Sequence, residues 1–443
     1  MLRTGPFARL AASPWTLVAV WALTRLWLVS AALKVPPLNG DGTLDPSVDT
    51  VYRGWFDVLA SGTFPAHDVS WQYPPGAALP ILAPGLLPSL DYGHAFVLTA
   101  ALTDALVTAG LLWLAVRKGR SPAAAWLWTV ALAVLSTMPW NRFDLQVTAV
   151  AMAALVVAAS SRAWADRAFG ALVALGALIK VWPALLLVGT GRGRRTRHSW
   201  LSAALAGAVL LAGFALAMPH ALSFLTAQKS RGIQIESVGA LPFHVARHFG
   251  WTGTWKAKDG SHEFVGPYVE TVSLVMQCLT VLALGWLWYW RTRRTVPSQG
   301  APWLLPDASL TAVLLFVVTS RVISPQYLVW LVGLAAVCLL WRETSQRPVA
   351  WLILAACVFT TLGFPLLYRE LRDDADPLAI TNLFVRDLLL IAAAGVSAVR
   401  LWRVGRTGRE KSPPVGAFGI CRMHHRIECC QTPYGPPSAV PKS

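Results

Sequence analysis

The chain has 443 residues, of which 55% are hydrophobic and only 14% charged, whereas soluble domains run near a quarter charged. That depletion, together with long apolar runs, excludes a soluble globular domain and places the chain in a bilayer. The formal net charge of +16 does not point to nucleic acid, because the basic residues cluster in short loops between apolar runs, as membrane topology requires.

A helix needs roughly 17 to 25 apolar residues to cross a bilayer. Such runs fall at 14–33, 93–116, 122–138, 146–160, 199–217, 268–290, 303–319, 325–341, 348–367 and 382–402. Residues 75–88 are apolar but short and broken by prolines, and 168–190 carries Lys180 and Pro183 in its middle. The predicted fold is an all-α polytopic integral membrane protein with ten to twelve transmembrane or re-entrant helices, forming one membrane domain over 1–403. The loops 34–74 and 218–266 are its large outer connections, and 404–443, rich in Pro and Gly, reads as a disordered cytoplasmic tail.

The basic loops "RKGR" (117–120), "GRGRRTRH" (191–198), "RTRR" (291–294), "RETSQR" (342–347) and "RVGRTGREK" (403–411) are expected on the cytoplasmic side. Loops 34–74, 218–266, 319–326 and 368–377 then face outward. This orientation leaves one conflict of parity. The span 146–160 ends inside, and the basic loop at 191–198 is inside too, so 168–190 cannot be one crossing. Pro183 removes a backbone donor and disfavours helix before it. The segment is therefore predicted to dip in and return as two half-helices, a device tolerated where it lines a protein-walled cavity.

The six cysteines form no disulfide framework. Cys278, Cys338 and Cys357 lie in apolar runs as small hydrophobes. Cys421, Cys429 and Cys430 sit beside His424 and His425 in the tail, at spacings that match no standard zinc pattern. No metal and no cofactor are expected.

The polar residues of interest share the outer face: Asp49, Tyr52 and Tyr73 in the first loop, then Asn141, Arg142, Asp144 and Gln146 in "WNRFDLQVT". Lys180 at the break follows, then Arg231, Gln234 and Glu236 in "KSRGIQIES", and Arg321, Ser324, Gln326 and Tyr327 in "SRVISPQYLVW". Ionisable groups at membrane depth are costly and by default suggest function. Structural readings stand beside the functional ones. Asp49 can cap an amphipathic surface helix. Arg142 and Asp144 can be an ion pair, and Arg321 can snorkel to headgroups. Arg25 and Asp104 read as polar contacts between helices. Arg386 and Asp387 can pair with each other or with neighbouring helices.

One carboxylate, several Arg/Lys and aromatic residues suit an anionic, lipid-linked donor. Arg and Lys hold a phosphate, and a carboxylate takes the proton of an attacking hydroxyl. A nucleotide donor fits less well, since no Gly-rich phosphate loop is present and the polar cluster faces away from the cytoplasm.

The stretch "VDTVYRGWFDVLASGTFPAHDVSWQYPPGAALPILAP" resembles the first outer loop of glycosyltransferase family 87, through Asp49/Tyr52, Gly62/Pro65 and Tyr73/Pro74/Pro75. "ALIKVWPALLL", "RGIQIES" and "SRVISPQYLVW" resemble its later recurring stretches. Where many members carry a Gly-Gln-Asn-like stretch, this chain has "RFDLQVT". The resemblance implies a GT-C enzyme of the bacterial plasma membrane with a small outer subdomain from the first loop and an aspartate general base there. It implies inversion at the anomeric carbon and a metal-free polyprenyl-phosphate-mannose donor.

The base maps to Asp49, with Asp41 and Asp45 as nearby rivals. Lys180, Arg231 and Arg321 are candidates for the donor phosphate. Tyr52, Tyr73, Arg142, Asp144, Gln234, Glu236, Gln326 and Tyr327 are candidates for sugar or acceptor, a lipid or glycolipid hydroxyl. The alternatives are transfer of another lipid-linked sugar, such as arabinofuranose, and, from another class, a transporter or lipid flippase, which also uses broken helices and intramembrane charges.

Overall fold

Apolar runs separated by short basic loops build the bundle. The computed structural model describes residues 13–35, 45–66, 68, 70–191, 193–227, 232–258, 260–293 and 301–410. Asp41, Arg231 and the cysteine–histidine tail lie outside the described residues. In chain order come α1 (Pro14–Ala32), a π-helical turn (Ser47–Tyr52), α2 (Arg53–Ala60) and a short run at Pro75–Leu86. Then follow α3 (Tyr92–Lys118), α4 (Ala123–Val134), α5 (Asp144–Ala158), α6 (Ala165–Ile179), a 3-10 run (Trp182–Gly189) and α7 (Arg194–Ala217). A small mixed layer holds β1 (Ile233–Gln234), α8 (Leu241–Arg247), β2 (Thr254–Lys258) and β3 (Ser261–Val265). The chain ends with α9 (Val269–Arg293), α10 (Leu304–Thr319), α11 (Tyr327–Leu339), α12 (Arg347–Thr361) and α13 (Pro377–Glu410).

Among the described residues six helices (α1, α3, α7, α9, the α12 segment and α13) are long and apolar enough to cross a membrane. The shorter apolar helices α4, α5, α10 and α11 join them. The protein is an all-α polytopic membrane protein, and each sequence-derived span coincides with one of these helices. Long and short helices differ in burial. α10 and α11 are buried along nearly their whole length, whereas α7 turns Leu201, Leu205, Val209 and Leu216 outward. The short helices form the core and the long ones its lipid-facing wall.

The segment 165–190 dips in and returns. α6 ends at Lys180, whose backbone is extended (φ −154°, ψ 132°). Past it Pro183 comes back against Gly176, 3.0 Å from where a Cβ would stand. The two ends meet at one face, where Ala158, Asp166, Gly189, Thr190 and Arg195 line a common pocket. Arg195 also bonds Asp166 (2.8 Å) and the Ala158 carbonyl. Lys180 is thus the apex of a hairpin that enters and leaves on one side.

Two close contacts lock this hairpin. A Cβ on Gly170 would stand 2.1 Å from the Ser199 carbonyl oxygen of α7, and one on Gly76 2.7 Å from the Leu178 carbonyl. Gly76 closes the "QYPPG" stretch, so the first loop docks on the hairpin beside its apex. Small residues allow such backbone approach between membrane helices.

A buried clasp joins α1, α3 and α4. Arg25 Nε donates to Asp104 (2.8 Å) and its Nη1 to the Thr129 carbonyl (2.7 Å). Trp21 and Trp128 donate to the same carboxylate. Every oxygen of Asp104 has a donor, as a polar contact between helices requires.

The three-stranded sheet, antiparallel in the order β1–β3–β2, lies in the second large loop and is the one departure from an all-helical reading among the described residues. It carries its own core of Ile233, Ile235, Phe243, Phe264 and Met276.

Candidate active site

The end of the bundle that carries the Lys180 apex gathers most of the sequence-derived candidates. Asp144 opens α5, is 1% exposed, and accepts from Lys180 Nζ (2.7 Å) and Trp330 Nε1 (2.6 Å) through the same oxygen, Oδ1. Four rings surround the ammonium: Phe143 at 5.0 Å, Trp330 at 5.1 Å, Tyr73 at 5.3 Å and Tyr327 at 5.7 Å. Trp330 is itself sandwiched, with Tyr327 stacked at 3.8 Å and Trp182 at 5.2 Å.

Arg142 and Asp144 are not an ion pair. Arg142 has extended backbone (φ −141°, ψ 138°) just before α5 begins, which turns its side chain to the first loop. There its Nη1 meets Asp45 Oδ1 at 3.2 Å and the Asn141 carbonyl at 2.7 Å. Asp144 turns the other way, to the hairpin apex.

The first loop supplies a carboxylate, but the two rivals differ. Asp49 is exposed, and its side chain has no ion pair or hydrogen bond among the described residues. The capping reading considered for Asp49 falls instead to Asp45, whose Oδ1 accepts from the Ser47 amide (2.9 Å) at the start of the π-helical turn. The side chain of Asp45 is 23% exposed. Among the described residues both of its side-chain bonds use Oδ1, which leaves Oδ2 to take a proton.

Tyr52 and Tyr73 belong to an aromatic floor under this pair. Tyr52 is buried against Trp55 and Phe96 (each 5.3 Å) and Phe143 (5.6 Å). Tyr73 stands edge-on to Phe143 at 5.0 Å. Burial pushes the Tyr52 phenol well above its ordinary range against the pull of Arg142, so it stays protonated as a neutral wall.

A second cluster adjoins the first through the loop before α11. The Gln234 amide donates to the Arg321 carbonyl (3.0 Å), and its side chain reaches Glu236 (3.4 Å) and Ser324 (3.5 Å). Three residues after Ser324, Tyr327 stacks over Trp330. Glu236 is buried, 3.7 Å from Arg386, whose guanidinium is already engaged by Asp387 at 2.8 Å. Burial pushes the Glu236 carboxyl up to about 7, with Arg386 opposing and Asp387 adding to the rise. Arg321 is half-buried and donates to Ser273 (3.2 Å). Gln326 precedes α11 without a side-chain cap bond.

The apex therefore brings together Asp45, Tyr52, Tyr73, Arg142, Asp144, Lys180 and Tyr327, and sets Gln234, Glu236 and Arg321 beside them. Trp182 and Trp330, which the sequence analysis does not name, complete this cluster. Their signal was position, two residues past Lys180 in "KVWP" and three past Tyr327 in "YLVW". Among the described residues no group of His, Cys, Asp and Glu is arranged to hold a metal.

A multi-pass membrane bundle with a charged, aromatic-walled recess at one end is the class that this fold and site define. The pattern of glycosyltransferase family 87 matches residues 71–325, more than half of the chain. The chain belongs to that family and is a membrane glycosyltransferase. No curated protein and no solved structure matches it. Tyr73, Arg142, Asp144, Lys180, Gln234, Glu236 and Arg321 stand inside the matched span; Asp45, Asp49 and Tyr52 precede it, and Gln326 and Tyr327 follow it.

Proposed function

We propose that the protein moves mannose from a polyprenyl-phosphate donor to a lipid or glycolipid hydroxyl on the outer face of the membrane, with inversion. The observation that carries this reading is the Asp45–Arg142 pair at 3.2 Å. It sets a partly exposed carboxylate of the first loop beside the buried cations and rings of the recess. Asp45 is the general base: its Oδ2 takes the proton of the acceptor hydroxyl as the oxygen attacks the anomeric carbon. The phosphate leaves with its electron pair, and Arg321, the half-buried cation at the rim, bears its charge. Arg195, at the start of α7, and Arg291, in the last turn of α9, bond Asp166 and the Thr190 carbonyl at the two ends of the hairpin away from Lys180, and this placing of basic residues supports an outward-facing site.

The test gives purified protein radiolabelled polyprenyl-phosphate mannose and a panel of lipid acceptors. Asp45→Asn is expected to lower kcat by about 100- to 10,000-fold, the range for loss of a general base, while Asp49→Asn stays within a few-fold of wild type. The reverse outcome assigns the base to Asp49. Transfer from polyprenyl-phosphate arabinofuranose in place of mannose changes the sugar, and substrate flux in vesicles without transfer overturns the reading.

A further inference from the structure

Buried hydrogen-bonding groups are left unpaired at the hairpin apex. Asp144 spends one oxygen on two donors, Lys180 and Trp330, while its Oδ2 is fully buried with no partner among the described residues. The Asn141 side-chain oxygen Oδ1, three residues upstream, is buried and unpartnered too, as is the Gln234 side-chain oxygen Oε1. A buried acceptor without a donor is costly. Asp144 carries the argument because a carboxylate, unlike an amide, has no alternative assignment of donor and acceptor.

A phosphate cannot complete this site. Its oxygens only accept, and its charge repels the carboxylate. Nor does Lys180 have charge to spare for one, since Asp144 lies 2.7 Å from its ammonium and four ring faces surround it. A hydroxyl group does complete it, because it donates to Oδ2 and still accepts. Trp182, whose ring stacks on Trp330, offers a buried indole N–H without a partner for that second bond. Tyr73 and Tyr327, whose rings face the same ammonium, are half-buried and so are the nearest of these residues to the surface.

We propose that Asp144 reads a hydroxyl of the transferred sugar, and that Lys180 is a positioning residue for Asp144 rather than a ligand of the donor phosphate. This assignment rests on the lipid-linked sugar donor proposed above. It makes Asp144 a specificity determinant: a site built to bond a hydroxyl rejects the analogue that lacks it far more strongly than one that merely fits its shape.

The experiment measures kcat/KM for polyprenyl-phosphate mannose and for each of its monodeoxy analogues, in wild type, Asp144→Asn and Trp182→Phe proteins. Wild type is expected to lose about 100-fold or more for one deoxy position. Asp144→Asn is expected to lose a similar factor with the parent sugar and little further with that analogue, because the two deletions remove one bond. Trp182→Phe, which keeps the ring stack, reduces the same discrimination without abolishing it. Lys180→Gln is expected to weaken the discrimination while leaving inhibition by free polyprenyl phosphate within a few-fold of wild type. Loss of that inhibition would assign Lys180 to the phosphate.

Additive losses for Asp144→Asn and every deoxy analogue overturn the proposal. So does a wild-type series in which every analogue stays within about threefold, as when Oδ2 holds only a buried water; this arm does not depend on any variant folding. Wild-type protein that transfers no lipid-linked sugar overturns the donor reading and this assignment with it.

Discussion

Glu236 titrates close to neutrality because it is buried beside an arginine that Asp387 already occupies. Folded, it holds its proton up to about 7; its ordinary value is 4.5. Between these two values the folded state keeps a proton that the unfolded state has released. Stability contributed by Glu236 is therefore full below about 4.5 and is lost as pH rises through about 7. Thermal unfolding in detergent is expected to show a decline between about pH 5 and about pH 8, on the order of 3 kcal/mol at most. Glu236→Gln flattens it, and an unchanged slope in that variant would move the titration elsewhere. The same scale shows where reading along the sequence stops. Arg142 and Asp144 are two residues apart and of opposite charge, yet they face different partners. One lies in extended backbone before α5 and the other on its first turn. Charge and spacing bring both into view, but the direction of each side chain depends on where helix begins. Asp45 and Asp49 pose the same problem, since only the π-helical turn between them decides which carboxylate faces the recess.

Single elements are held by contacts that substitution can test. Asp104→Ala leaves Arg25 buried without its carboxylate, which costs on the order of 3–5 kcal/mol; the double variant Arg25→Leu with Asp104→Leu recovers much of that loss in thermal unfolding. Gly170→Ala places a methyl group 2.1 Å from the Ser199 carbonyl oxygen and forces α6 from α7, at roughly 1–3 kcal/mol. Gly213→Ala meets nothing within 4 Å and is the control expected to change stability little. The helices were legible because each apolar run is long and uniform. The hairpin was legible for a different reason: parity between basic loops forbade a crossing, and Lys180 with Pro183 marked the break. The sheet was not legible. "IQ", "TWKAK" and "SHEFV" are too short to show a sustained alternating pattern, and although β2 and β3 are neighbours in sequence, β1 joins β3 across some thirty residues, as in Gln234 opposite Glu263.

For the molecule as a whole, the arrangement predicts sidedness. In intact cells a membrane-impermeant thiol reagent is expected to label Ser61→Cys, on the first loop, and to reach Lys118→Cys, at the far end of α3, only after permeabilisation. The opposite pattern would place the recess in the cytoplasm. The hairpin has one more consequence. α5 and α6 are 15 residues each, so at 1.5 Å per residue they rise about 22 Å, against about 30 Å of hydrocarbon in a typical bilayer. With the other ends of both helices at the opposite headgroup level, their tips, Asp144 and Lys180, are expected several ångströms below the level at which lipid phosphates normally rest. Either the lipid substrate is drawn inward along the protein wall or the surrounding leaflet is dimpled to meet the site, and both carry an elastic cost that grows with chain length. Turnover in reconstituted bilayers is thus expected to rise as acyl chains are shortened, which makes the enzyme a reporter of the thickness of its own membrane.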